Sequence, residues 1–596
     1  MEALRQLLLH AENKFEAHTE GMEGWQLVAG TAAITLTTIT LKDLYLRRLD
    51  VYTDVRDWLF RSIRKIPAVK NYISEQLDQS RRDIENEMFE KSGIKDVRPP
   101  LHVLPPTGWS TEDLLSEANH LLTQGRYNWQ EGKISGGTFT GLETDFNHLI
   151  EKIYGVYAFQ NPLHADVFPG VRKMEAEIVR MTINIFHGEE EACGTMTSGG
   201  SESILLAVKA MRDYGRAMKG ITRGEIVACY TVHAAYDKAA HILGLKLRKV
   251  RMDQKTCKSD IKAMEQAITS NTIMLVASAP TFPHGIIDDV EAVGALGLQY
   301  NIPVNVDSCM GGFLLPFMER AGFPIQPFDF RVPGVVVISA DTHKYGNAPK
   351  GSSVLMYSSP EFRHYQYFVT PDWPGGIYAT PSVPGSRPGA DSKDVCILTT
   401  HMQNLLCCTT VTYDSFRSWI DVKALVAVCW AALLYQGFDG YIAKTKKIIT
   451  TARRIKEQLR SLSRIEVMGD PLTSIVAFKG NGVDILKVGD ILNEHGWHLT
   501  FTQYPPGLHI CLTTLQATDS FPDMFVSAVK EAVKEVASHP QETTGLGKVY
   551  GTAAGIPDKN LVGEAAKVFL HCYYKTEPTR EHDERGEEEI VSVGAS

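Results

Sequence analysis

Val335-Val336-Val337-Ile338-Ser339-Ala340-Asp341-Thr342-His343-Lys344-Tyr345-Gly346-Asn347-Ala348-Pro349-Lys350-Gly351 is the stretch whose reading decides the fold. Four β-branched apolar residues, Val335 to Ile338, form a continuous run instead of an alternation, the pattern of a strand covered on both faces of an α/β sheet. Polar residues arrive where that strand ends. Ligand clefts of open α/β sheets lie at the carboxyl ends of the strands, so Asp341, His343 and Lys344 are expected in a cleft on a rigid support. A lysine flanked by His343 and Tyr345 beside an apolar strand is a candidate for a depressed pKa and for imine chemistry. Taken alone, it is more plainly a surface cation in a loop.

Working outward, other segments repeat the pattern. Strands are expected at Glu225 to Tyr230, Leu245 to Arg251, Ile273 to Ala279 and Ile302 to Val306, separated by helical segments. Such alternation predicts a mainly parallel, doubly wound sheet. Each of four strand ends carries a polar group, His233, His284, Asp307 and Lys344, and together they are expected to converge on one cleft. Ser198-Gly199-Gly200-Ser201 precedes an apolar-periodic helix from Ile204 to Met211. Small residues at a helix N-terminus let backbone N–H groups approach an anion, although a plain Ser/Gly cap has the same composition. Beyond residue 430, helices at Trp430 to Tyr435, Tyr441 to Leu462 and Asp484 to His495, with strands at Ser474 to Phe478, Trp497 to Thr502 and His509 to Leu512, predict a smaller α+β domain.

At the other end, Trp25 to Leu41 carries no charge and includes five threonines. As a helix it is about 25 Å long, close to a hydrocarbon core of roughly 30 Å. Basic residues from Arg47 to Lys70 crowd its C-terminal flank, so the positive-inside rule puts the N-terminus outside and the remainder in the cytosol. A helix lying on the membrane or in the core is the alternative. The 596 residues, 44% hydrophobic, allow more than one domain, and a net charge of −9 gives no reason to expect nucleic acid. The ten cysteines include no CxxC pair, so neither a structural metal site nor a disulfide framework is indicated.

Ser198-Gly199-Gly200, His233, Asp307, Ser339 to Lys344 and Gly385-Ser386-Arg387-Pro388-Gly389 together resemble the fold-type I pyridoxal-phosphate enzymes of the group II decarboxylase branch. Within that branch, Asn161-Pro162-Leu163-His164, Asp372-Trp373 and Gly375-Gly376-Ile377-Tyr378-Ala379 make the chain most similar to the sphingosine-1-phosphate lyase family. The resemblance implies an α/β fold with a mainly parallel sheet, a smaller C-terminal domain and an N-terminal transmembrane helix. It also implies pyridoxal 5'-phosphate as cofactor, with Lys344 holding it as an imine, Asp307 pairing with the pyridine nitrogen, His233 stacking on the ring, and Ser198, Gly199, Gly200 and His343 at its phosphate. Lys350, Tyr378 and His164 are the implied substrate-side residues. The implied reaction is retro-aldol cleavage of a phosphorylated sphingoid base to a long-chain aldehyde and phosphoethanolamine. The implied setting is a homodimer in the endoplasmic reticulum membrane, its catalytic domain cytosolic. The expected layout is a lumenal segment at 1–24, the membrane helix at 25–46, a basic helical linker at 47–110, the cofactor-binding domain at 111–389, the small domain at 425–575 and a disordered tail at 576–596.

Two features depart from that family. About 34 residues, Ala390 to Lys423, stand where the family runs almost directly on, longer than a structureless loop usually is. They read as an insertion without a function of its own; His401 with the adjacent Cys407 and Cys408 makes a poor zinc set. Phe139 also stands where a tyrosine is expected. The competing readings are an amino-acid decarboxylase built on the same cofactor and an inactive membrane-bound scaffold whose site the insertion has destroyed.

Overall fold

The computed structural model describes residues 62–90, 100–125, 127–139, 143–158, 166–384, 425–538 and 559–576, with Gly30, Ala33, Thr37, Leu59, Phe60, Gln160, His164 and Ile556 singly. The expected membrane span, apart from those three positions, lies outside the described residues, as do Asn161 to Leu163, Gly385 to Gly389, the insertion and the tail beyond Thr576. The chain divides into two units, Met1–Ser80 and Arg81–Ser596. In the first, most of the described residues lie in an amphipathic helix that starts at Pro67. Proline suits that first helical position, where its missing N–H leaves no bond unmade.

The second unit holds a seven-stranded sheet ordered β1-β7-β6-β5-β4-β2-β3. Its strands are β1 (Cys193–Thr197), β2 (Glu225–Cys229), β3 (Lys246–Val250), β4 (Thr272–Ser278), β5 (Val304–Asp307), β6 (Val335–Ala340) and β7 (Ser353–Tyr357). Strands β3, β2, β4, β5 and β6 are mutually parallel, and β7 is antiparallel to both β6 and β1. Strand β1 therefore runs the same way as β6, and six strands end on one edge. The core supports that edge. Val337 and Ile338 are fully buried, as are Leu275, Ala277, Val304 and Val306, each large aliphatic contributing about 1.5–3 kcal/mol by leaving water.

Between β1 and β2 lies the helix Gly200–Lys219, which buries Ile204, Ala207, Val208 and Met211, one face at helical spacing. Arg216 and Lys219 sit in its last turn, where cations suit the dipole, and Gly220 closes it in the left-handed conformation. A four-stranded antiparallel sheet, ordered β10-β11-β13-β12, forms the smaller layer: β10 (Ile465–Val467), β11 (Ile475–Gly480), β12 (Thr500–Thr502) and β13 (Gly507–Cys511). A separate hairpin pairs β8 (Phe368–Thr370) with β9 (Tyr378–Thr380).

Among the described residues, Leu425–Arg460 is the one helix long and apolar enough to pass for a membrane span. It is broken at Gly437, where φ is 59°, and buries Val426, Val428, Ile448 and Ile455. It packs against the helices Pro169–Ile185 and Phe521–Ser538, so it is a core helix. The sequence pattern, which stopped one helix at Tyr435 and began the next at Tyr441, reflects that break.

Candidate active site

Strand β7 explains why two distant stretches meet. Thr197, the last residue of β1, pairs with Ser353, while Val354 pairs with Ala340 at the end of β6. The Ser198-Gly199-Gly200 turn therefore lands beside Asp341, His343 and Lys344. Ser203 Oγ joins them underneath, lying 2.7 Å from Thr197 Oγ1 and 2.9 Å from Ser353 Oγ. Ser353 donates to the carbonyl of Ala340. Gly199 has φ 142°, open to glycine and strained for other residues. At Gly200 a Cβ would stand 2.8 Å from Cys309 Sγ and 2.9 Å from Asp341 Oδ1, so only glycine lets the helix start lie on that carboxylate.

Lys344 Nζ lies 2.8 Å from Asp341 Oδ2. Burial alone would lower this lysine, but Asp341 in contact, with Cys309 and Asp307 nearby, outweighs it and raises the ammonium above its ordinary value. The expectation of a depressed pKa is therefore corrected: it took account of the apolar strand and omitted an anion one helical turn back. Asp341 is nearly inaccessible to solvent. Burial works against its charge, yet Lys344 and His343 hold its carboxyl below the usual range. Its Oδ1 is buried with no hydrogen-bond partner.

His343 accepts the backbone N–H of Ser352 at Nδ1, 3.2 Å away. Burial lowers its pKa against the pull of Asp341. The ring is thus neutral with its proton on Nε2, a donor 3.6 Å from Asp341. Asp307 ends β5, paired in register with Ser278 and Ser339 and buried on the next strand over from β6. It accepts the N–H of Cys309, and its charge reaches both Lys344 and Tyr236.

The remaining expected residues fall into two groups. Lys350 is close by, its Nζ 4.7 Å from the centre of the Phe139 ring. Partial burial of the ammonium and the charge of Lys344 push its pKa down. Phe139 in turn packs edge-on against Tyr345, whose hydroxyl donates to the Leu512 carbonyl at 2.7 Å and ties the loop after β6 to the smaller sheet. His233 stands exposed at the end of β2, edge-on to Phe282. Tyr378 and His164 are not drawn into the Lys344 cluster. Tyr378 opens β9, with its ring against Phe368 and Trp373, and His164 is exposed ahead of the helix Pro169–Ile185. His284 also departs from the expected convergence. It is buried with both ring nitrogens unpartnered, near His509 of the smaller sheet.

Ser198 is placed differently from a free anion ligand: its N–H and its hydroxyl both donate to Glu202 Oε2, each at 2.6 Å. Glu202, three residues into the helix, is the capping partner that the sequence reading missed; its spacing after a small N-cap residue is the signal that could have found it. Asp341 was named only as one member of a motif, and its i, i+3 spacing to Lys344 was the clue to the ion pair.

The residues present fit pyridoxal phosphate. A helix N-terminus with close backbone approach at Gly199 and Gly200, and the Nε2–H of His343, suit a phosphate. An amine at Lys344 suits an aldehyde, and a buried carboxylate at Asp307 suits a protonated pyridine nitrogen. The comparisons with known proteins agree. The conserved domain of pyridoxal-dependent decarboxylases matches residues 102–371. The sphingosine-1-phosphate lyase 1 of Rattus norvegicus is 41% identical over 580 residues, covering 97% of this chain and 95% of that protein. The sphingosine-1-phosphate lyase of Drosophila melanogaster is 40% identical over 555 residues, covering 93% and 95%. A solved sphingosine-1-phosphate lyase of Burkholderia pseudomallei superposes with a TM-score of 0.65 at 34% identity, covering 73% of this chain and 93% of that one. The chain belongs to the sphingosine-1-phosphate lyase family of pyridoxal-phosphate enzymes.

Proposed function

We propose that this chain is a carbon–carbon lyase that cleaves phosphorylated sphingoid bases to a long-chain aldehyde and phosphoethanolamine with pyridoxal 5'-phosphate. The observation that carries the reading is the placement of Lys344 after β6 and Asp307 at the end of the adjacent β5, beside the glycine turn, in a chain similar to lyases over nearly its whole length. Bound there, the cofactor supplies an electron sink for the pair released when the C2–C3 bond of the substrate breaks. Lys344 would supply the amine, and Asp307 would keep a positive charge on the ring nitrogen. His343 Nε2 and the helix N-terminus would hold the phosphate, and His233 would cover a ring face. Lys350, its pKa lowered by partial burial and by the charge of Lys344, can take the proton from the C3 hydroxyl or bind the substrate phosphate. Tyr378 is assigned to proton transfer, with His164 nearby.

Both of these residues are exposed or half-exposed in the single chain, and Tyr378 sits among Phe368, Val369, Trp373 and Ile377, all exposed. Such a patch supports the homodimer, in which a second copy covers the hairpin and the site is completed. The uncharged stretch Trp25 to Leu41 and its basic flank support a single-pass anchor in the endoplasmic reticulum membrane with the catalytic part cytosolic. Anchoring would raise the local concentration of a lipid substrate. The layout of linker, cofactor domain, insertion and small domain stands on the same sequence reading. The test is direct: purified protein with pyridoxal phosphate and a phosphorylated sphingoid base should release a long-chain aldehyde and phosphoethanolamine in equal amounts. Carbon dioxide from an amino acid, with no aldehyde from the lipid, would favour the decarboxylase reading. Neither product would favour a scaffold.

A further inference from the structure

A lysine that acts as a base becomes an ammonium as it works, and Lys350 has an aromatic face where that charge would stand. Its Nζ lies 4.7 Å from the centre of the Phe139 ring. The lysine as a whole is exposed, whereas Phe139 is only 5% exposed. Three elements fix the ring. The N–H of Ser135 donates to the His498 carbonyl at 2.8 Å and that of Gly136 to the Cys511 carbonyl at 2.9 Å, which stitches the segment before Phe139 to the smaller layer. The Phe139 carbonyl accepts Asn347 Nδ2 at 3.2 Å, from the loop that carries Lys350, and Thr514 Oγ1 at 3.1 Å, from the chain after β13. Tyr345 packs edge-on with ring centres 5.0 Å apart, its own hydroxyl bonded to Ser474 and Leu512. Main chain and ring together thus register Phe139 against the loop of Lys350.

We propose that Phe139 is a positioning residue for Lys350: its ring face holds Nζ and stabilises the positive charge that Lys350 acquires on taking the proton of the C3 hydroxyl. The inference rests on the assignment of Lys350 as that base. In the step, the proton passes from the hydroxyl oxygen to Nζ, the O–H electron pair becomes the second bond of the aldehyde carbonyl, and the C2–C3 pair leaves toward the bound cofactor. The lysine goes from neutral to charged, and an aromatic face attracts a cation far more than an amine. The contact therefore strengthens as the barrier is climbed, and such an interaction raises kcat while leaving KM alone. Other groups near Nζ are already committed. Lys344 on the same loop repels the new charge, and Asp341, which attracts it, lies 2.8 Å from Lys344. Cys511 of β13 is a neutral thiol whose pKa burial pushes up to about 11, and the His343 ring is neutral. Phe139 carries no hydroxyl, so its side chain acts on Lys350 through the ring alone.

The test uses the protein loaded with pyridoxal phosphate, with mono-, di- and trifluorinated phenylalanine in place of Phe139. Fluorine drains charge from the ring face with little change in size, so a purely structural role would leave the series level. Under the proposal kcat falls step by step with each fluorine, and Phe139→Leu loses about two- to fivefold, the range of a partly solvated cation–π contact. KM should hold. The acid limb of the pH–rate profile should move to lower pH along the series, because weakening the ring contact disfavours the charged form of Lys350 and lowers its pKa. Phe139→Tyr keeps an aromatic face and should retain kcat within about twofold, with the acid limb in place. A level fluorine series, or a KM that rises while the acid limb stays put, would overturn the proposal. If Lys350→Gln retains the acid limb, the assignment of the base itself fails and takes this inference with it.

Discussion

The loop after β6 and the β8–β9 hairpin both carry residues assigned to one reaction, yet they are built in opposite ways. Asp341, Thr342, Tyr345, Gly346, Asn347 and Ala348 are buried, and the loop is tied down on every side: Thr342 to Ser352, Asn347 to the Phe139 carbonyl, Tyr345 to the smaller sheet. On the hairpin, Phe368, Trp373 and Ile377 face solvent, and Tyr378 touches only other hairpin rings among its ring contacts. The loop that carries Lys344 is buried within one chain. The hairpin is not, and under the proposed homodimer a second copy would cover that apolar surface.

The largest expected effect tests the buried half. Lys344→Ala should lower aldehyde release on the order of 10⁴-fold or more, as removal of a covalent-catalysis residue does elsewhere, while leaving secondary structure by circular dichroism unchanged. Tyr378→Phe should cost about 10²–10⁴-fold if the hydroxyl moves a proton. Mixing the two inactive variants sharpens the comparison. If each site takes Lys344 from one copy and Tyr378 from the other, random two-fold dimers recover about a quarter of the natural activity. No recovery would place both residues in one chain's site. Lys350→Gln should lower kcat by about 10²-fold and remove the acid limb of the pH–rate profile, because a lysine whose pKa is lowered by partial burial and by Lys344 serves as base only above that pKa.

Much of the buried half could be read from the sequence, because local pattern and final environment agree there. Val335 to Ile338 is apolar without interruption and becomes β6, and the runs ending at Asp307 and Cys229 behave alike. Strands β1 and β7 escaped notice. Cys-Gly-Thr-Met-Thr has no apolar run, and Ser353–Tyr357 follows Pro349 and Gly351, which look like loop punctuation. Their pairing is long-range, and it alone brings the glycine turn to Lys344. The pKa of Lys344 was misread for a related reason. An apolar strand is visible in one dimension, whereas a carboxylate folded back by a single turn is not. The exposed half was legible only by resemblance, since Tyr378 has no local pattern that assigns it chemistry.

The smallest expected effect concerns the seam between the two sheets. Burial pushes both His284 and His509 down to about 4. Each folded-state value lies below the unfolded one of roughly 6.5, so the unfolded chain binds more protons in that window. The contribution of each ring, on the order of 3 kcal/mol, is fully present above pH about 6.5 and is lost as pH falls toward 4. Denaturant midpoints should therefore drop across that window, and His284→Phe should flatten the drop by about half. A stability that is level from pH 7 to 4 would mean that these rings are solvated.

The most direct test of the central claim is to load the protein with pyridoxal phosphate, reduce with borohydride and map the labelled peptide by mass spectrometry. The added mass should sit on Lys344 and on no other lysine. Its appearance on Lys350, or its absence from folded protein that otherwise binds the cofactor, would contradict the account.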